Sequence, residues 1–170
     1  MERLLELSAK IGRVLVAQHL KLATVESCTG GWIGQSLTAV AGSSAWYERG
    51  FVTYSNASKT ELVGVSTELI SRSGAVSEPV VRAMARGALS HSPADLALAV
   101  TGIAGPDGGS ADRPVGTVWL GWIARTGRER AEQYLFTGDR EAVRRQSVVE
   151  ALSGLIRFLE GGFISVDSSP

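Results

Sequence analysis

Helix-like and strand-like segments alternate along most of this 170-residue chain, then give way to two neighbouring strands and a long last helix. That order predicts a three-layer α/β/α single domain around a mixed, mostly parallel sheet. Three observations carry the prediction: an amphipathic opening segment, short apolar runs closed by Ser-, Asn- or Gly-rich turns, and one run that is apolar on both alternations.

The elements follow in order. Leu4, Leu7, Ile11, Val14 and Leu15 recur at helical spacing and predict a first helix over 2–19. Leu22 to Val25 is a short apolar strand leading into Ser27. A second helix over 32–40 turns Ile33, Leu37 and Val40 inward and stops at Ala41-Gly42-Ser43-Ser44. The stretch 46–54 holds Tyr47, Phe51, Val52, Thr53 and Tyr54 and favours a strand. Asn56 suits the N-cap of a short helix through Leu62, ended by Gly64. Ser66 to Ile70 forms a further helical turn. Ser77-Glu78-Pro79 opens a longer helix in which Val81, Met84, Ala85 and Ala88 share a face. Asp95 to Val100 is a strand running into a glycine-rich loop, 101–110. Val115 to Ala124 is the doubly apolar run, expected as a central strand covered on both faces. Arg125-Thr126-Gly127 turns the chain into a more polar strand ending near Phe136. Asp139 caps a final helix with Val148, Leu152, Leu155 and Leu159 inward. Residues 1–160 are expected as the domain and 161–170 as a frayed tail.

Composition narrows the function. Seventeen basic and seventeen acidic residues give zero formal net charge, against the basic excess of a dedicated nucleic-acid binder. Cys28 is the single cysteine, so no intrachain disulfide can form and a cysteine-rich zinc site is excluded. His19 and His91 lack metal-ligand spacing and read as surface residues; no metal and no cofactor are expected. A lone thiol and the absence of a signal-peptide pattern point to the cytoplasm. No apolar run approaches the roughly 18 residues of a membrane span. Exposed sheet edges and short apolar loops suit a homodimer.

The most informative stretch is Val25-Glu26-Ser27-Cys28-Thr29-Gly30-Gly31, which reads as strand, tight turn, helix. It places a small nucleophile, Ser27, where the N–H groups of a helix start could hold an anion or a developing oxyanion. Many such turns need Ser, Thr and Gly for capping alone. Glu26 could act as an acid–base group or answer the helix dipole. Cys28 is a rival nucleophile or a small packing residue. Four loops follow the carboxyl ends of expected strands, at 27–31, 54–59, 101–110 and 137–140, and ligands gather at such ends in open α/β sheets.

Two cations stand in expected first helical turns, where the dipole disfavours them: Lys59, third after Asn56, and Arg140, next to Asp139. Each reads as a solvated charge or as functional. Functionally, Arg140 would meet an anionic substrate, and a Lys59 kept neutral by burial would take a proton from a serine hydroxyl. Tyr54 reads as a core aromatic, or as a hydroxyl orienting Lys59 or relaying a proton. The loop from Thr101 to Ser110 lacks both a dinucleotide fingerprint and a P-loop, but its amides could wrap a phosphate or ribose.

Taken together, Glu26 to Gly31, Gly42-Ser43-Ser44-Ala45-Trp46, Arg49 to Asn56, Gly74-Ala75-Val76-Ser77-Glu78, Thr101 to Pro106, Pro114-Val115-Gly116-Thr117-Val118 and Gly138-Asp139-Arg140 resemble, in order, the motifs of the CinA C-terminal domain family. These are bacterial nicotinamide mononucleotide deamidases, and the resemblance runs from about residue 4 to 159. It implies the stand-alone form, without the additional N-terminal domain of the larger CinA proteins. It implies hydrolysis of the nicotinamide mononucleotide carboxamide to nicotinic acid mononucleotide and ammonia, in pyridine nucleotide salvage, by a metal-free Ser–Lys mechanism. Ser27 would be the nucleophile and Lys59 the general base, with Tyr54 assisting proton transfer or orienting Lys59 and Arg140 binding substrate or stabilising charge. The amides of Thr29, Gly30 and Gly31 would form the oxyanion hole. Ser55 and Asn56, with Thr101, Gly102, Gly105 and Gly109, would line the nucleotide site. A non-catalytic nucleotide-sensing or interaction module built on the same pocket is the alternative.

Overall fold

The computed structural model describes residues 2–161; the expected tail at 162–170 lies outside the described residues. The chain runs α1 (Glu2–Ala17), β1 (Leu22–Glu26), α2 (Trp32–Thr38), β2 (Tyr47–Val52), α3 (Asn56–Val63), α4 (Thr67–Ser73), α5 (Glu78–Ser90), β3 (Leu96–Gly102), β4 (Thr117–Ala124), β5 (Glu129–Leu135) and α6 (Arg140–Glu160). The five strands form one sheet in the order β2-β1-β3-β4-β5. β1 pairs in parallel with both β2 and β3, whereas β3–β4 and β4–β5 are antiparallel. Two reversals return β5 to the direction of β1, so β4 alone runs the other way and the sheet is mixed and mostly parallel, as expected.

Period-two alternation splits the core into two layers. Leu22, Leu96, Leu98, Val100, Val118, Leu120 and Trp122 face α1, α2 and α6. Ala23, Val25, Ala97, Ala99 and Ile123 face the α4 and α5 side with Val80, Val81, Met84 and Ala88. Small alanines on that second face let α5 sit close: a methyl group at Gly121 would already touch Val81, 3.4 Å away. β4 is nearly all buried, which is why its sequence is apolar on both alternations.

Element ends differ from the sequence reading in instructive ways. α1 stops at Ala17, not 19, because His19 adopts a left-handed φ of 56°. Its N–H reaches Val16 O, and the N–H of Leu20 reaches Leu15 O at 2.9 Å. That is a Schellman ending in which histidine stands where glycine usually signals it. The N-cap of α3 is Ser55, whose Oγ accepts from Ser58 N at 3.0 Å, rather than Asn56. Lys59 therefore sits one position deeper in the helix than expected.

The topology creates the site. From β1 the chain crosses on one side to β2 and returns on the other to β3. The carboxyl end of β1 is thus the point where strand order reverses, the usual ligand position in open α/β sheets. β2, β1, β3 and β5 all end at that same edge, so the four loops anticipated from the sequence meet there.

Candidate active site

Ser27 leaves the end of β1 with its N–H still bonded to Val100 O at 3.1 Å. The chain then turns back on itself: Gly30 N donates to Ser27 O at 3.0 Å, with Gly30 and Gly31 at φ of 61° and 100°, a region closed to most side chains. Gly31 has no side chain to cap α2. Glu26 does that work from the strand. Its carboxylate, 2% exposed, accepts from Ile33 N at 2.9 Å, Gly34 N at 3.0 Å and Thr29 Oγ1 at 2.6 Å. Of the two readings of Glu26, the structure selects the answer to the helix start. From the opposite side Arg144, which the sequence reading passed over, donates to Cys28 O at 3.1 Å and Thr29 O at 3.0 Å and lies over the Trp32 ring.

Lys59 is 1% exposed, and its ammonium donates to Ser27 Oγ at 3.1 Å and to Thr53 O at 2.8 Å. Among the described residues no carboxylate pairs with it. Burial pushes its pKa down from the ordinary lysine value. Its orientation comes from the Thr53 carbonyl and not from Tyr54. β2 ends at Val52, and alternation beyond it buries Thr53 while Tyr54 stands 59% exposed. The Tyr54 hydroxyl instead accepts from Arg140 Nη2 at 2.8 Å. Tyr54 is therefore neither a core aromatic nor a contact of Lys59.

Ser27, Cys28, Tyr54, Arg140 and residues of the 102–108 loop line a cleft of about 250 Å³. Arg140 Nη1 also donates to Gly105 O at 2.7 Å, so two of its five N–H groups are engaged, with no protein acceptor for the others among the described residues. Gly102 and Gly105 line this cleft, together with Ile103, Ala104, Asp107 and Gly108. The other expected contacts lie elsewhere. Thr101 is buried, with Oγ1 on Ala75 O at 2.9 Å, Ser55 caps α3, Asn56 is exposed, and Gly109 packs beside Val115. Within the turn, Gly30 N is committed to Ser27 O, and Thr29 Oγ1 to Glu26. The amides of Thr29 and Gly31 have no protein acceptor among the described residues.

The rival nucleophile is disfavoured by its setting. Burial pushes the Cys28 thiol up to about 12, against which the nearby Arg144 and Lys59 count for less. At neutral pH it is a protonated, 6% exposed packing group against the glycine loop.

Fold and site together define an α/β protein with a cleft at its topological switch point and, in the cleft lining, a serine that contacts a buried lysine. A family model described as the CinA C-terminal domain matches residues 4–159, and the chain belongs to that family. It is 51% identical over 152 residues to the nicotinamide-nucleotide amidohydrolase PncC of Escherichia coli (strain K12), covering 89% of this chain and 92% of that one. It is 54% identical over 156 residues to the protein of the same name from Enterobacter agglomerans, covering 92% and 95%. The crystal structure of the competence/damage inducible protein CihA from Agrobacterium tumefaciens superposes with a TM-score of 0.90 at 45% identity, covering 93% of this chain and 96% of that one.

Proposed function

We propose that this protein hydrolyses the carboxamide of nicotinamide mononucleotide to nicotinic acid mononucleotide and ammonia, with Ser27 as nucleophile and Lys59 as general base. The observation that carries the reading is the buried contact of Lys59 Nζ with Ser27 Oγ, 3.1 Å, where Ser27 lines the cleft. The amidohydrolase names of relatives at 51% and 54% identity support the substrate.

An amide is a poor electrophile, so attack needs an activated hydroxyl and donors for the tetrahedral oxyanion. Neutral Lys59 takes the Ser27 proton as Oγ bonds to the carboxamide carbon. It returns that proton to the departing nitrogen, and ammonia leaves an acyl-serine. Water then attacks with Lys59 again as base, releasing the carboxylate and restoring Ser27. The amides of Thr29 and Gly31 serve as donors to the oxyanion. Arg140, a planar fork with spare N–H groups, meets the 5′-phosphate.

The test is ammonia release from nicotinamide mononucleotide by purified protein with a chelator present. Ser27→Ala and Lys59→Ala should each lose about 10³-fold or more while remaining folded, the scale on which nucleophile and base act as one unit. Turnover within tenfold of wild type in either variant overturns the mechanism. Nucleotide binding without ammonia release by the wild type would turn the reading to a sensing module.

A further inference from the structure

Arg144 lies outside the cleft lining and, among the described residues, pairs with no carboxylate, yet its guanidinium is committed to one turn. The two carbonyls it holds, of Cys28 and Thr29, belong to the peptide units whose N–H groups are those of Thr29 and Gly30. A cation on a carbonyl oxygen draws electron density through the conjugated peptide and makes the N–H at its other end a stronger donor. One of these N–H groups, Gly30, clamps Ser27 O at 3.0 Å; the other, Thr29, has no protein acceptor among the described residues.

We infer that Arg144 is a positioning residue that polarises the Cys28–Thr29 and Thr29–Gly30 peptides from behind, arming the Thr29 amide as oxyanion donor and locking the Ser27 turn. The inference rests on the reading of Ser27 as nucleophile. Two placements make it specific. Arg144 comes four residues after Arg140, on the same side of α6, so one helix holds both the cleft rim and the nucleophile turn. The Trp32 ring packs against the guanidinium, its centre 5.4 Å from Cζ, and helps hold it at the turn.

Arg144→Met keeps the stem over Trp32 and removes the charge and the fork; Arg144→Lys keeps the charge. The experiment measures kcat and KM for nicotinamide mononucleotide together with the amide ¹H–¹⁵N resonance of Thr29 in labelled protein, alongside Ser27→Ala. Arg144→Met should lower kcat by about 10-fold or more, short of the 10²–10³ typical of deleting an oxyanion donor, with KM within about twofold. The Thr29 resonance should move upfield, and Arg144→Lys should recover part of both changes. An unshifted Thr29 resonance, an unchanged kcat, or a loss confined to KM overturns the inference. If Arg144→Met fails to fold, Arg144→Lys decides: wild-type kcat and an unmoved Thr29 resonance overturn the inference, and an intermediate kcat with a moved resonance sustains it. Retained turnover in Ser27→Ala would overturn the nucleophile reading itself, whatever Arg144 does.

Discussion

Lys59 combines a charge-bearing side chain, near-complete burial and no acidic partner among the described residues, a combination that costs stability unless the group serves chemistry. Its lowered pKa fixes two pH dependences. kcat/KM should rise with pH through one ionisation lying below the ordinary lysine value of about 10.4, because only the neutral amine accepts the Ser27 proton. Between the folded and unfolded pKa values the unfolded chain binds more protons at this site, so its contribution to stability rises with pH in that window. Lys59→Met should abolish turnover and remove that rise. Urea midpoints of variant and wild type, compared at neutral pH and near the ordinary lysine value, check it; a gap that stays constant contradicts the assignment. Cys28, beside it, is expected to be dispensable: Cys28→Ala should keep more than about half of the activity, and thiol alkylation of the wild type should be slow, since the thiolate is scarce at neutral pH. Total loss in Cys28→Ala would return the nucleophile role to the thiol.

Between residues and fold lie the elements that aim them, and here legibility in the sequence was uneven. The strand–turn–helix around Ser27 was readable because adjacent glycines after a strand signal left-handed backbone, and both glycines have it. What immobilises the turn was not. Glu26 and Arg144 act on it from a strand and a distant helix, and only the folded topology brings Arg144 from 116 positions away to the Cys28 carbonyl. The α3 cap was misplaced by one residue because Ser55 and Asn56 are both good caps and only backbone angles choose between them. The sequence suggests Tyr54 as a partner of Lys59, whereas strand alternation turns it outward to Arg140. The importance of Glu26 at this scale is testable. Glu26→Ala would orphan three donors, two of them backbone amides at the start of α2, at about 1–3 kcal/mol for each one left buried and unsatisfied. With roughly 2–4 °C lost per kcal/mol in a domain of this size, calorimetry should show Tm falling by at least several degrees, together with lost turnover. An unchanged Tm would mean that water replaces the carboxylate.

At the scale of the whole molecule, α6 couples packing to function. Its first turns carry Arg140 and Arg144 to the site, while its middle seals the larger core layer over Trp122. The indole Nε1 donates to Ala151 O at 3.0 Å, and the ring fills the space beside Gly154 so closely that a methyl group there would overlap it. Two effects then oppose each other in Gly154→Ala. Alanine favours the helix by about 1 kcal/mol over glycine. Overpacking a well-filled core costs about 1–3 kcal/mol and is relieved only by shifting the ring or the helix. Trp122 is fully buried on a central strand and bonded to α6 itself, so the helix is the part that must move. The expected result is a net loss of up to about 2 kcal/mol in urea denaturation, together with a raised KM as Arg140 is drawn off the cleft rim. A variant more stable than wild type would show that α6 can ride outward at no cost and that its two arginines hold the site independently of the core beneath them.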